Sequence, residues 1–259
     1  MRVSFGVWVA AGVVAGGLAA AAVVASGALD GEDGGSTTAT TVDVAAEAEQ
    51  RAADAEAFVA AYERSRTGTY VVSSTFRRTF PGGTSFTSEA TVAQRPPDRL
   101  ERGLGSITAR VDGRVVLCST TATGRYRCQR GRSERSYSSI VEREVEALRG
   151  YVDGDVPLYS VVADTEEEGR SCFDLEQVRP LPAPPYGTAA RFCFDDETGA
   201  LVTLRVERDE AVDLTEATEV RATVRERDLT PPRDGDRVPA DQRVDGPVAN
   251  EDADRDDGE

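Results

Sequence analysis

Two residue types are missing altogether. The 259-residue chain contains no histidine, and lysine is absent too, because all 30 of its basic residues are arginine. Without histidine there is no Ser-His-Asp or Cys-His relay and no imidazole metal ligand. Without lysine there is no Schiff base, no Ser-Lys dyad and no P-loop lysine. Carboxylate chemistry remains open in principle. However, the acid clusters Glu166-Glu167-Glu168 and Asp195-Asp196-Glu197 lack the spaced oxygen pattern of a calcium loop. No pair of acids stands out for glycoside hydrolysis either. The expectation is a non-catalytic chain with no cofactor and no metal.

Positive charge is also short. The net charge is −16, of which residues 230–259 supply −6 from ten acids and four arginines, and residues 43–229 supply −8. The phosphate backbone dominates nucleic-acid affinity, so nucleic acid is not an expected partner. The exception is local. From Arg95 to Arg135 there are ten arginines and four acids, a charge of +6. The densest part holds Arg125, Arg127, Arg130, Arg132 and Arg135. These could meet an anionic membrane surface, at about 1 kcal/mol per residue, or they could be outward strand arginines paired with acids elsewhere.

Cysteine is scarce but even in number. Cys118, Cys128, Cys172 and Cys193 allow three pairings. Residues facing each other across a hairpin have a constant index sum. Cys118 with Cys128 centres a turn on Thr123-Gly124, and Cys172 with Cys193 centres one within the proline-rich stretch 180–187. Two cross-strand disulfides are expected, each contributing roughly 2–4 kcal/mol and each requiring an oxidising compartment. The spacings are unlike those of a four-thiolate metal site.

The same compartment follows from the N-terminus. Val3 to Leu29 carries no charge, whereas a membrane-spanning helix needs about 20 apolar residues and a secretory core about 7–15. Residues 1–29 are expected to be a transmembrane anchor, or a cleaved signal segment with a small-residue site near Ala25-Ser26-Gly27. Arg2 before the run, with Asp30, Glu32 and Asp33 after it, places the rest of the chain outside the cytoplasm.

Residues 30–42 read as a flexible polar linker. A helix is expected over 43–64, with Phe58, Val59 and Tyr62 on its apolar side. Strand alternation follows from Tyr70, broken at Pro81-Gly82-Gly83. This turn sets Val72 opposite Val92, Ser74 opposite Ala90 and Phe76 opposite Ser88. Arg95-Pro96-Pro97-Asp98 breaks the pattern again. Short strands are expected near 99–104, 107–118 and 125–129, with Asp112-Gly113 and Thr123-Gly124 as turns. Helical spacing then runs from Tyr137 to Val152, with Ile140, Val141, Val145, Leu148 and Val152 on one side. Further strands are expected near 157–163, 171–178, 189–195, 200–207 and 217–228, and a disordered acidic tail over 230–259. The fold class is α+β over residues 43–229: one curved antiparallel sheet of nine or ten strands with two covering helices, preceded by the transmembrane helix.

Several stretches in that order carry a resemblance: AFVAAYERSRTGTYVVSSTF (57–76), VAQRPPDRLER (92–102), Asp112-Gly113-Arg114 before a cysteine, and CFDDETGALVTLRVER (193–208). Together they resemble the bacterial lipoprotein-carrier superfamily typified by LolA, which includes mycobacterial-type lipid-carrying lipoproteins and RseB-like sensors. The resemblance implies a half-barrel whose mouth is plugged by helices and whose apolar cavity takes acyl chains without catalysis. Tyr70, Val72, Phe76, Val92 and Ile107 are the candidate cavity residues, and helix 137–152 is a candidate lid. The chain departs from the pattern in its N-terminal segment, which has no lipid-attachment cysteine. A tethered domain cannot shuttle, so local lipid or lipoprotein binding fits better than long-range carriage. The alternative is an envelope sensor that regulates a protein partner without bound lipid.

Overall fold

In the computed structural model the chain divides into two units, 1–42 and 43–259. The structure describes residues 44–103, 105–164 and 167–239, all within the second unit. The apolar run 3–29, the linker and residues 240–259 lie outside them. Among the described residues no helix is long and apolar enough to cross a membrane.

Eleven strands form one antiparallel sheet. Helix α1 (Val44–Thr67) leads into β1 (Tyr70–Thr79), β2 (Ser85–Arg95), β3 (Asp98–Gly103), β4 (Ser106–Val111), β5 (Arg114–Thr120) and β6 (Tyr126–Arg132). Helix α2 (Tyr137–Val152) then precedes β7 (Tyr159–Asp164), β8 (Arg170–Gln177), β9 (Ala189–Asp195), β10 (Leu201–Arg208) and β11 (Ala211–Arg221). A 3-10 turn spans Glu226–Leu229. The order across the sheet is β6-β5-β4-β3-β2-β1-β11-β10-β9-β8-β7, so two meanders meet where β1 pairs with β11. The sheet is open and curved. Along β2, Phe86, Ser88, Ala90 and Val92 are half-buried while Ser85, Thr87 and Glu89 are exposed, so one face is the inner face.

Each helix forms where its apolar residues recur at helical spacing. On α1, Ala55, Phe58, Val59 and Ala61 are buried. On α2 the stripe is Tyr137, Val141, Val145, Leu148 and Val152. The hydroxyl oxygen of Ser136 accepts the N–H of Ser139 at 3.2 Å and caps the α2 N-terminus. The helices cover the β7–β9 part of the inner face. There Phe58 packs against Phe173 at 5.4 Å and Phe192 at 5.1 Å between ring centroids, and Tyr159, Leu175, Phe194 and Val206 complete the cluster. Burial leaves this aromatic core filled.

The turn at 81–83 produces the expected register: Val72 faces Val92, Ser74 faces Ala90 and Phe76 faces Ser88. Cys118–Cys128 and Cys172–Cys193 are disulfides across β5–β6 and β8–β9. The expected turn at Asp112-Gly113 divides the stretch near 107–118 into β4 and β5. The last strand ends at Arg221, although apolar alternation continues through Val224.

The reading of 230–259 as a disordered tail is corrected at its start. Residues 234–238 lie along the free edge of β6. The N–H of Tyr126 donates to Asp236 O at 2.9 Å, Gly235 N–H to Tyr126 O at 2.8 Å, and Val238 N–H to Gly124 O at 2.9 Å. Asp234 accepts the N–H of Cys128 at 2.9 Å. Val238 and Leu229 are buried with Leu100, Ile107, Val116 and Cys118 on the outer face. Two isolated apolar anchors among prolines and aspartates have no periodicity to reveal them. The opposite edge is protected differently. Asp54, buried on α1, accepts the N–H of Ala163 on β7 at 3.3 Å and the side-chain amide of Gln50 at 2.8 Å. Each outer edge is thus partly occupied, β6 by the C-terminal segment and β7 by Asp54 of α1.

Candidate functional site

The inner face is covered only in part. Beyond the helices, β1 to β4 present a groove of about 270 Å³ lined by Phe76, Ser88, Ala90, Val92, Gly103 and Thr108. Its floor is small because the register stacks Ala90 against Gly103 and Gly103 against Ser106. A Cβ at Gly103 would meet the Cβ of Ala90 at 3.3 Å, so any larger residue there narrows the floor. Phe76, Phe86 and Phe80 form an aromatic run at one end, with ring centroids 5.8 and 6.3 Å apart.

The other end is polar and lies under the helix termini. A second cavity of about 270 Å³ is lined by Arg66, Arg99, Glu101, Arg110, Tyr137 and Glu144, and it shares Glu101 and Thr108 with the first. Arg66 at the end of α1 forms a forked pair with Glu144 of α2, at 2.8 and 3.2 Å. Arg99 pairs with Glu101 at 2.5 Å and donates to Gln94. Tyr137 donates to Arg66 O at 2.7 Å and lies 3.0 Å from Gln94 Oε1. Gln94, fully buried, donates to Ser65 O at 3.0 Å and Gly68 O at 2.9 Å. These bonds tie both helices to the sheet. Burial opposes the charge of Arg99, but Glu101 beside it more than compensates and its pKa is raised. Burial pushes the Tyr137 and Tyr62 phenols above their ordinary range.

The five candidate cavity residues separate. Phe76 and Val92 line the groove. Val72 is buried beside Val92. Tyr70 is buried in the same cluster, with its hydroxyl donating to Ser65 O at 2.6 Å, so it packs and anchors α1. Ile107 is a correction. It stands opposite Arg102 and Cys118 and faces outward, under Leu229 and Val238. Alternation shows which residues of one strand share a face, but not which face of the sheet they take.

The arginine reading also divides. Arg125 donates to Gly235 O at 2.7 Å and Arg130 to Pro232 O at 3.2 Å, so both hold the C-terminal segment. Arg127 and Arg132 are exposed on the same strand. The acid clusters serve local needs. Asp195 accepts from the N–H and hydroxyl of Thr198 at 2.8 and 2.6 Å, and Glu167 pairs with Arg191 at 3.0 Å. Glu166 is outside the described residues. Glu167 lies near Cys172 and Cys193, but both sulfurs are bonded in the disulfide and offer no thiolate.

The polar end was missed from the sequence, yet a signal existed. A constant index sum about Pro96-Pro97 sets Gln94 opposite Arg99 and Val92 opposite Glu101, which is the observed register.

No family model and no curated protein sequence matches the chain. Solved structures are similar to it. The crystal structure of MucB has 14% identity and a TM-score of 0.42 over 72% of this chain and 66% of that one, so the chain spans about two thirds of that structure. LprF from Mycobacterium bovis gives 13% identity and 0.35, over 70% of this chain and 95% of that one. A LolA superfamily protein from Nitrosomonas europaea gives 8% and 0.29, over 69% and 98%. At these values the likeness says nothing of ligand or partner.

Proposed function

We propose that this chain is a non-catalytic binding module of the cell envelope that takes an acyl chain or similar apolar ligand in the groove on β1–β4. The observation that carries the reading is the uncovered inner face, where Phe76 and Val92 flank a floor of Ala90, Gly103 and Ser106. Small side chains there leave room that the helix-covered half has filled with aromatic rings. Burial of a chain on such a surface yields about 25 cal/mol per Å². Two features support an extracytoplasmic site tethered at or exported across a membrane: the apolar run 3–29 and the two disulfides. The lipid or lipoprotein would then be handled beside the membrane.

Native mass spectrometry of the full-length chain tests this reading. An acyl species of discrete mass is expected on the native chain, and Thr108→Trp, which places an indole at the exposed junction of the two cavities, should remove it. A chain that stays empty in the presence of fatty acid, with the variant behaving alike, would refute it.

A second reading has one observation in its favour. Val156, Val162, Val178 and Leu181, on and around β7 and β8, are 60, 57, 56 and 45% exposed, as a surface for a protein partner would be. Crosslinking that captures one envelope protein with no extractable lipid would favour it.

A further inference from the structure

We infer that the groove selects an anionic amphiphile, with the carboxylate or phosphate held at Arg110 and the chain laid over Val92 toward Phe76. The inference rests on the apolar-groove reading and adds a chemical class to it.

The two cavities are neighbours that share Glu101 and Thr108 in their walls. On β2 the inner-face residues run from Ser88 through Ala90 and Val92 to Gln94, about 20 Å of strand. One end is therefore apolar and the other arginine-lined. The arginine end carries Arg66, Arg99 and Arg110 against Glu101 and Glu144, an excess of one positive charge in a chain whose total is −16. The excess has an address. Arg66 is matched by Glu144 and Arg99 by Glu101. Arg110 donates only to neutral acceptors, Ser133 Oγ and Arg135 O, and has no carboxylate partner among the described residues. Those two bonds engage one guanidinium nitrogen, Nη1, and fix the side chain in place. An incoming anion would find a preset cation with donors to spare. Exposed Thr108 precedes Arg110 by two residues on the same face of β4, and the mutually paired Glu101 and Arg99 of β3 separate these two from Val92, so a chain leaving the headgroup crosses a neutralised pair.

Calorimetric titration of the full-length chain with laurate, dodecanol, dodecyl phosphate and inorganic phosphate tests this. Laurate and dodecyl phosphate should bind about tenfold more tightly than dodecanol, the worth of one charge-assisted hydrogen bond. Arg110→Gln should erase that gap, whereas Arg110→Lys should keep part of it. Equal binding of laurate and dodecanol by the native chain would overturn the inference and leave the apolar groove standing. Binding of none of the chain-bearing ligands would overturn the groove itself. Inorganic phosphate binding as tightly as dodecyl phosphate would also overturn the inference, by showing a free-anion site. A gap that survives Arg110→Gln would remove Arg110 from the role.

Discussion

The inner face of one sheet is used in two ways. Over β7–β10 the helices press Phe58 onto Phe173, Phe192 and Phe194, and the space is full. Over β1–β4 the same face carries Ala90, Gly103, Ser106 and Thr108 between Phe76 and Val92, and no helix among the described residues fills it. Side-chain volume makes the difference, because the strand geometry is alike in both halves. Stability is concentrated where rings interlock, and capacity is kept where small residues leave a trough. Between the two stand Tyr137, Gln94, Arg66 and Arg99, whose hydrogen bonds fix the helix ends at the boundary.

The comparison predicts a large asymmetry in stability. Phe58→Ala opens a cavity in the filled half and should cost about 3–5 kcal/mol. Phe76→Ala removes a half-buried ring from the groove and should cost about 1–2 kcal/mol. Urea unfolding of the two variants measures the difference, and equal costs would mean that both halves are packed alike. A smaller effect concerns the rim. Arg78 donates to both oxygens of Asp213, at 2.5 and 2.6 Å, beside Phe76. This hydrogen bonding outweighs burial and holds the Asp213 carboxyl below its ordinary range. Its folded pKa is depressed, so its contribution to stability is present above the unfolded value of about 3.9 and is lost as pH falls through the folded one. Asp213→Asn should therefore destabilise the protein at pH ~6 and match the native chain once both carboxyl forms are protonated, as unfolding curves at the two pH values would show.

Much of the frame is legible in the residues. Tyr137 to Val152 has a clear helical stripe and becomes α2 with those limits. The turn at 81–83 and the cysteine sums fix three strand pairings, because pairing across a tight hairpin is arithmetic once the turn is known. The site is less legible. Phe76 and Val92 were accessible by alternation, but Ile107 has the same alternation and lies on the other face. Which face a strand turns inward depends on its register with distant strands and on what covers them. The covering segment here, Leu229 to Val238, has only two apolar anchors. Arg66, Arg99, Arg110 and Glu144 come together from α1, β3, β4 and α2, and no local pattern announces a convergence of four elements.

The central claim is that ligand enters the uncovered half of the inner face and leaves the filled half alone. Nuclear magnetic resonance of the full-length chain with a fatty acid spin-labelled along its chain measures this directly. The account predicts broadening of Phe76, Ala90 and Val92 with Phe192 and Leu148 unaffected. Broadening centred on Phe58, Phe192 and Leu148, as α2 lifts from the sheet, would contradict it.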